Sequence, residues 1–223
     1  MPINDNYLSV NFSQFNKPKS DYPSRLAEFI ARDIPRSVRL LDVGSGRGDL
    51  AKALQQRGFD VQIADVNPQA SSLAGPKFKF YEIASDGTIN VGSDQFDVVL
   101  LKSVIEHLHD PYPLLREIRR ILKSNGCLIV LTPSWRHNID VFYDAVGHVQ
   151  PYTERSLKLT LEIGKFSVQH CRAFRQVPWT WSTLGGVVVR AMSGLFRFIP
   201  RRVRRPGLRF LREASLYAVA VKL

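Results

Sequence analysis

Short apolar runs of strand length alternate along this chain with stretches whose apolar residues return every three or four positions, and that alternation predicts an α/β fold. Pro23-Ser24 opens a helix carrying Leu26, Phe29, Ile30 and Ile34 on one side, and Pro35 stops it. Leu40 to Val43 reads as the first strand and Asp49 to Leu54 as the helix after it. Phe59 to Asp65 reads as the second strand, followed by Asn67-Pro68 and a helical stretch from Gln69 to Leu73. Lys77 to Ile83 alternates as a third strand, and Gln95 to Leu101 has the unbroken apolar character of a buried fourth. Leu114, Leu115, Ile118, Ile121 and Leu122 mark a helix expected to run to Asn125-Gly126, a left-handed stop. Strand five is Cys127 to Leu131, closed by Thr132-Pro133; a helix follows from Thr153 to Ile163, then strand six from Phe166 to Phe174 and strand seven from Ser215 to Lys222.

Between the first strand and its helix the sequence runs Gly44-Ser45-Gly46-Arg47-Gly48. Glycine lets a chain turn with positive φ and lets a ligand approach the main chain, while the free N–H groups of the next helix face that ligand. The dinucleotide fingerprint would need glycine where Asp49 stands, and no Gly-Lys-Ser/Thr phosphate loop occurs, so NAD, FAD and nucleotide triphosphates fit poorly. A glycine-rich turn with no ligand is the plain alternative. Asp42 lies just before the loop, and Asp65 ends strand two about 20 residues past the glycines, where a carboxylate can grip a ribose diol through two charge-assisted hydrogen bonds. A turn or helix-cap role is the other reading of Asp65, and Asn67 before Pro68 can take that role instead.

An acid before G-x-G-x-G at a strand end resembles motif I of the class I S-adenosylmethionine-dependent methyltransferases. The residues after strand four strengthen the resemblance: Phe96-Asp97-Val98-Val99, Val104-Ile105-Glu106-His107-Leu108, Asp110-Pro111, the Arg119 to Gly126 helix end and Leu128 to Pro133 are similar to the small-molecule branch that includes ubiquinone-biosynthesis O-methyltransferases. The similarity runs from about Leu40 to Phe174. It implies a Rossmann-like, seven-stranded, mostly parallel sheet with helices on both faces and an antiparallel last strand. It implies S-adenosyl-L-methionine as cofactor, with Asp42 complementing its cationic end. Gly44, Ser45, Gly46 and Gly48 would admit the aminoacyl and ribose parts, Asp65 and Val66 would stand at the ribose, Asp86 at the adenine amino group and Ser103 beside the cofactor. Asp86-Gly87 is equally a turn signal.

Methyl transfer to a hydroxyl needs a positioned acceptor and a base. His107 and His148, following strands four and five, are the candidates, because a neutral imidazole has its pKa near the working pH. The same branch of the family carries an E-x-x-E-H segment with a later histidine that holds a divalent metal. Glu106, His107 and His148 match it and Ser103 replaces the first glutamate, which weakens a metal site and sets a metal-free histidine base ahead of it. The bland reading leaves these residues as loop anchors.

Charge changes the picture at one end only. The net charge is +11, and from Arg172 through Arg212 there are ten arginines and no Asp, Glu or Lys. With the family's last two strands paired, about residues 177–212 become an insertion too long for a hairpin turn. Its Trp179, Trp181, Phe196 and Phe198 beside Arg201, Arg202, Arg204 and Arg205 suit the interface of an anionic membrane; a substrate cap, a homodimer contact and an RNA-binding strip are the alternatives. Residues 1–38 are expected as an arm and cover helix, and 39–223 as the methyltransferase domain. Cys127 and Cys171 lack metal-ligand spacing and read as reduced core thiols, and no signal peptide or spanning run of about 18 to 20 apolar residues is evident. The expectation is a cytoplasmic enzyme, peripheral at the inner face of a membrane, that O-methylates a small-molecule, sugar or lipid-linked acceptor. An RNA methyltransferase or a non-catalytic cofactor-binding module are the alternatives.

Overall fold

The computed structural model describes residues 21–175, 177, 181, 188 and 213–223. The expected arm at 1–20 and most of the insertion at 177–212 lie outside the described residues. In chain order the elements are α1 (Tyr22–Ile30), β1 (Arg39–Val43), α2 (Asp49–Gln55), β2 (Asp60–Asp65), α3 (Gln69–Ala74), β3 (Phe80–Glu82) and β4 (Phe96–Lys102). They continue with α4 (Tyr112–Ile121), β5 (Leu122–Pro133), α5 (Trp135–Asn138), α6 (Glu154–Ile163), β6 (Phe166–Phe174) and β7 (Ser215–Lys222).

The strands form one sheet in the order β3-β2-β1-β4-β5-β7-β6. The first five are parallel neighbours, and β7 runs antiparallel between β5 and β6, as the resemblance implies. The order reverses between β1 and β4, so loops leaving their carboxyl ends diverge and open a crevice. Both faces of the sheet are covered, which is why its central strands are apolar at nearly every position. Leu41 and Val43 join a core with Ile118 and Ile121 of α4 and Leu157 and Leu161 of α6. Leu40 joins the opposite core with Leu26 and Phe29 of α1 and Leu50 and Leu54 of α2. Because side chains alternate along a strand, Asp42 points to the same side as Leu40 and is buried there.

Most boundaries follow the apolar pattern; α1, which ends at Ile30 and leaves Ile34 in the bends before Pro35, does not, and nor does α4. Its expected stop at Asn125-Gly126 is corrected to Ile121, because Leu122 turns extended (ψ 137°) and pairs with Phe96 in β4. The register then jumps to Val98 opposite Cys127, so residues 123–126 form an irregular insert inside β5. Asn125 does adopt the left-handed conformation its sequence favours (φ 59°), but in that insert and not at a helix end. Full burial of Leu122 beside Phe96 outweighs another helical turn. The two cysteines are free and half-buried, Cys171 packed against one core and Cys127 against the other. No helix among the described residues is long and apolar enough to cross a membrane.

Candidate active site

The glycine loop leaves β1 with positive φ at Gly44 (72°), Gly46 (51°) and Gly48 (69°). At Gly44 the space is also missing, since a Cβ would lie 2.2 Å from Cγ2 of Val104. At Gly48 a Cβ would lie 2.7 Å from that of Ala74, so the loop packs directly on the end of α3. The loop is pinned from inside by hydrogen bonds from Gly44 N to the Ala64 carbonyl (2.8 Å) and from Gly48 N to the Ser45 carbonyl (2.9 Å).

Asp65 closes the loop from beneath. One carboxylate oxygen accepts from Gly46 N (2.9 Å) and the other from Asn67 N (2.9 Å). Burial raises the Asp65 pKa, opposed by backbone N–H groups of Asn67, Gly46 and Val66. Each oxygen keeps a second lone pair for a ligand hydroxyl. Asp42 is pushed up to about 7 by burial, with Lys102 pulling the other way and Asp65 adding to the rise. A buried carboxyl so poised gains most from a cation brought to it. Ser45 Oγ and Asn67 Nδ2 are buried without a hydrogen-bond partner, and Val66 stands 44% exposed beside Asp65. Asp86 forms the turn after β3: its Oδ1 accepts from Thr88 N (2.9 Å) and Thr88 Oγ1 (2.7 Å), and these bonds hold its pKa below the usual range.

The exit of β4 carries the other half of the site. Ser103 turns the chain in the left-handed region (φ 56°), Val104 packs over Gly44, and residues Ile105–His107 make a single 3-10 turn. That turn aims Glu106 inward, fully buried. Glu106 Oε2 accepts from Thr132 Oγ1 (2.9 Å), and its main-chain carbonyl accepts from Val149 N (2.9 Å) and Gln150 N (3.0 Å), so the loop carrying His148 is tied to it. Glu106 Oε1 has no hydrogen-bond partner and lies 4.0 Å from His148 Nε2. His148 donates from Nδ1 to the Phe142 carbonyl (2.7 Å), which leaves Nε2 as the lone-pair nitrogen facing Glu106. The His107 and His148 rings stand 4.8 Å apart, and Gly147, at φ 89°, has no room for a Cβ farther than 3.1 Å from His107 Nδ1.

Burial lowers the pKa of both histidines, and for His107 the neighbouring His148 lowers it further. Both are therefore neutral at pH 7, and the 4.0 Å approach to Glu106 is not an ion pair. Burial pushes Glu106 up to about 7, against its own backbone N–H, Thr132 and Lys102. One ligand atom from each of Glu106, His107 and His148 lies within 4.8 Å of the others. Two neutral imidazoles and an unpaired carboxylate oxygen make a donor set that fits a divalent cation as well as a proton. Ser103, which replaces the glutamate of the resembled motif, is exposed and brings no carboxylate to this group.

An aromatic wall was not legible in the sequence. Trp135 of α5 lies edge-on to Phe142 (5.6 Å) and Tyr143 (6.0 Å), and Phe142 lies 4.6 Å from His148. The one available signal was Trp135 placed directly after Pro133-Ser134 at a strand's carboxyl end. Both roots of the expected insertion also reach this edge. Trp181 packs on Phe174 and Phe29, while the Ala214 carbonyl accepts from Ser134 N (2.9 Å) and Asn138 Nδ2 (2.6 Å).

A family profile described as a methyltransferase domain matches residues 15–170. A ubiquinone biosynthesis O-methyltransferase of Caulobacter sp. is 31% identical over 102 residues, covering 43% of this chain and 40% of that protein. One of Cereibacter sphaeroides is 30% identical over 132 residues, covering 53% of each. The chain thus spans about half the length, or less, of these curated relatives. Among solved structures, a SAM-dependent methyltransferase from Archaeoglobus fulgidus superposes with a TM-score of 0.68 at 19% identity, covering 97% of this chain and 100% of that one. A Haloferax volcanii complex of the Trm112 methyltransferase activator with a methyltransferase gives a TM-score of 0.73 at 14% identity, covering 99% and 98%. At such identities the likeness is one of fold.

Gly44→Ala is expected to destabilise the protein by about 1–3 kcal/mol in urea unfolding, from left-handed strain plus the clash with Val104. Gly58→Ala, strained in the same way but with nothing within 4 Å of its Cβ, serves as the control and should cost less. Equal stability of the two variants would contradict the contact.

Proposed function

The chain belongs to the methyltransferase domain family, class I and S-adenosylmethionine-dependent, and from that premise we propose that it moves the cofactor's methyl group to an oxygen of a small-molecule, sugar or lipid-linked acceptor. The observation that carries the reading is the Glu106–His107–His148 group, its glutamate buried and its histidines half-buried, with Glu106 and His107 carried on the same β4 exit as Val104, whose side chain meets Gly44 of the glycine loop. A hydroxyl acceptor needs a proton acceptor there; an amine or thiol acceptor has less need of one.

In this reading Gly44, Ser45, Gly46 and Gly48 line the aminoacyl and ribose parts, Asp65 takes the ribose diol beside Val66, and Asp42 answers the ammonium. Asp86 takes the adenine amino group, and Ser103 flanks the cofactor at the exit of β4. The acceptor oxygen attacks the methyl carbon in line with the departing sulfur, which leaves as a neutral thioether. The hydroxyl proton passes to the lone pair of a histidine, His148 Nε2 being the nitrogen turned to the cluster. Glu106 sits where it stabilises the imidazolium that forms. Glu106, His107 and His148 would also hold a divalent cation, and the orphaned Glu106 Oε1 favours that fit. Such a cation, when bound, polarises the acceptor hydroxyl and lowers its pKa. The ubiquinone biosynthesis O-methyltransferases among the relatives support an oxygen acceptor, and the arginine-rich, apolar composition of residues 177–212 supports its presentation at an anionic membrane surface.

His148→Ala and His107→Ala are each expected to lower methyl transfer to a hydroxyl acceptor by about a hundredfold or more. Binding of S-adenosylhomocysteine, followed by calorimetry, should stay unchanged, and EDTA should lower turnover of the wild type if a cation takes part. Full turnover in both variants rules the base assignment out. A pH series tests Asp42. Its carboxyl is raised in the free protein, so its protonated form favours the fold and that contribution is lost as pH rises between about 4 and 7. A cationic ligand favours the ionised form, so nucleoside affinity should rise about tenfold from pH 6 to pH 8 and then level off. Asp42→Asn should bind more weakly with a flat profile; a slope retained in that variant sinks the role. Flotation should recover the protein with anionic liposomes and not with neutral ones, and equal recovery removes the membrane proposal.

A further inference from the structure

Lys52 projects from the first turns of α2 between two backbone carbonyls that have no other claim on it. Its Nζ donates to the Arg47 carbonyl in the glycine loop (3.1 Å) and to the Leu73 carbonyl at the end of α3 (3.0 Å). Leu73 lies in the last turn of α3, where carbonyls lack intrahelical partners and an ammonium is favoured by the helix dipole as well as by the hydrogen bond. The same ammonium therefore closes a helix end and fixes the peptide between Arg47 and Gly48. Gly48 takes φ 69° and packs against Ala74, the residue after Leu73, so the loop and α3 meet at two adjacent points. The loop is also tied to β2, through Gly44 N to the Ala64 carbonyl and Gly46 N to Asp65. On the α3 side the hydrogen-bonded strap is Lys52, beside the packing of Gly48 on Ala74.

We infer that Lys52 is a positioning residue for the cofactor: it holds the Gly44–Gly48 loop in its binding shape before the nucleoside arrives, joining the loop to the helix that follows Asp65 and Val66. This rests on the cofactor reading above. A loop shaped in advance loses less conformational freedom on binding, so the benefit falls on affinity and not on the chemical step, which takes place on the far side of Val104. No proton or methyl group passes through Lys52.

The variants are Lys52→Met, which keeps the stem and removes the donors, and Lys52→Arg, which keeps a cationic donor. Calorimetry with S-adenosylhomocysteine should show about tenfold weaker binding to Lys52→Met and recovery toward wild type in Lys52→Arg. The KM for S-adenosylmethionine should rise in parallel while kcat at saturation stays within about twofold. Amide hydrogen exchange of the nucleoside-free protein should be faster at Gly44, Gly46 and Gly48 in Lys52→Met and unchanged in the distant strands β6 and β7. Unaltered affinity and unaltered loop exchange in Lys52→Met overturn the inference, as does a uniform loss of protection across the sheet, which would make Lys52 a general stabilising residue. Failure of the wild type itself to take up the nucleoside would instead overturn the cofactor reading, and the exchange comparison would still decide whether Lys52 straps the loop.

Discussion

Val104 Cγ2 occupies the space that a side chain on Gly44 would need, and this contact joins the two halves of the carboxyl edge. Strands β1 and β4 are hydrogen-bonded neighbours at the point where the sheet order reverses, so their exits start side by side and then part. One exit becomes a loop of bare backbone, the other a single 3-10 turn that drives Glu106 into the interior. With Gly44 lacking a Cβ, the two run in contact; with any side chain there, one must move away. The spacing between the glycine loop and the turn that carries Glu106 and His107 is thus set by an absent methyl group.

Around this contact the chain concentrates negative charge that the rest of the sequence does not suggest. The protein is strongly basic overall, yet Asp42, Asp65 and Glu106 are all buried at one edge. Burial raises all three, and Lys102, at the end of β4, draws down both Asp42 and Glu106. Carboxyl groups kept in low dielectric respond strongly to an arriving cation, whereas solvated ones respond weakly. In the proposed reading these groups answer a positively charged sulfur nucleoside at Asp42 and a proton or cation at Glu106.

The histidines are prepared by their surroundings in the same manner. The Phe142 carbonyl claims Nδ1 of His148, and the glycine at 147 lets the main chain approach His107. The Phe142 ring covers one flank of His148, with Trp135 and Tyr143 edge-on to Phe142. Each of these partners lies on the chain after β5, and hydrogen bonds from Val149 and Gln150 to the Glu106 carbonyl hold that stretch against β4.

The sequence by itself determined the alternation of strands and helices, the glycine loop with its acids, and the bounds of β6 and β7, because these depend on local periodicity and on residues next to one another in the chain. Thr153 at the start of α6 belongs with them, its hydroxyl capping Ser156 N as a local motif should. Only the tertiary structure decided where α4 stops, since the burial of Leu122 beside Phe96 is a contact between residues 26 apart. It brought Glu106, His107 and His148, which only the family resemblance had grouped, within 4.8 Å, set Trp135 against Phe142, and placed Lys52 between two carbonyls of different elements. Periodicity reports which face of an element is apolar; which residues meet across that face is fixed by strand order and register, and these arise only when the whole sheet closes.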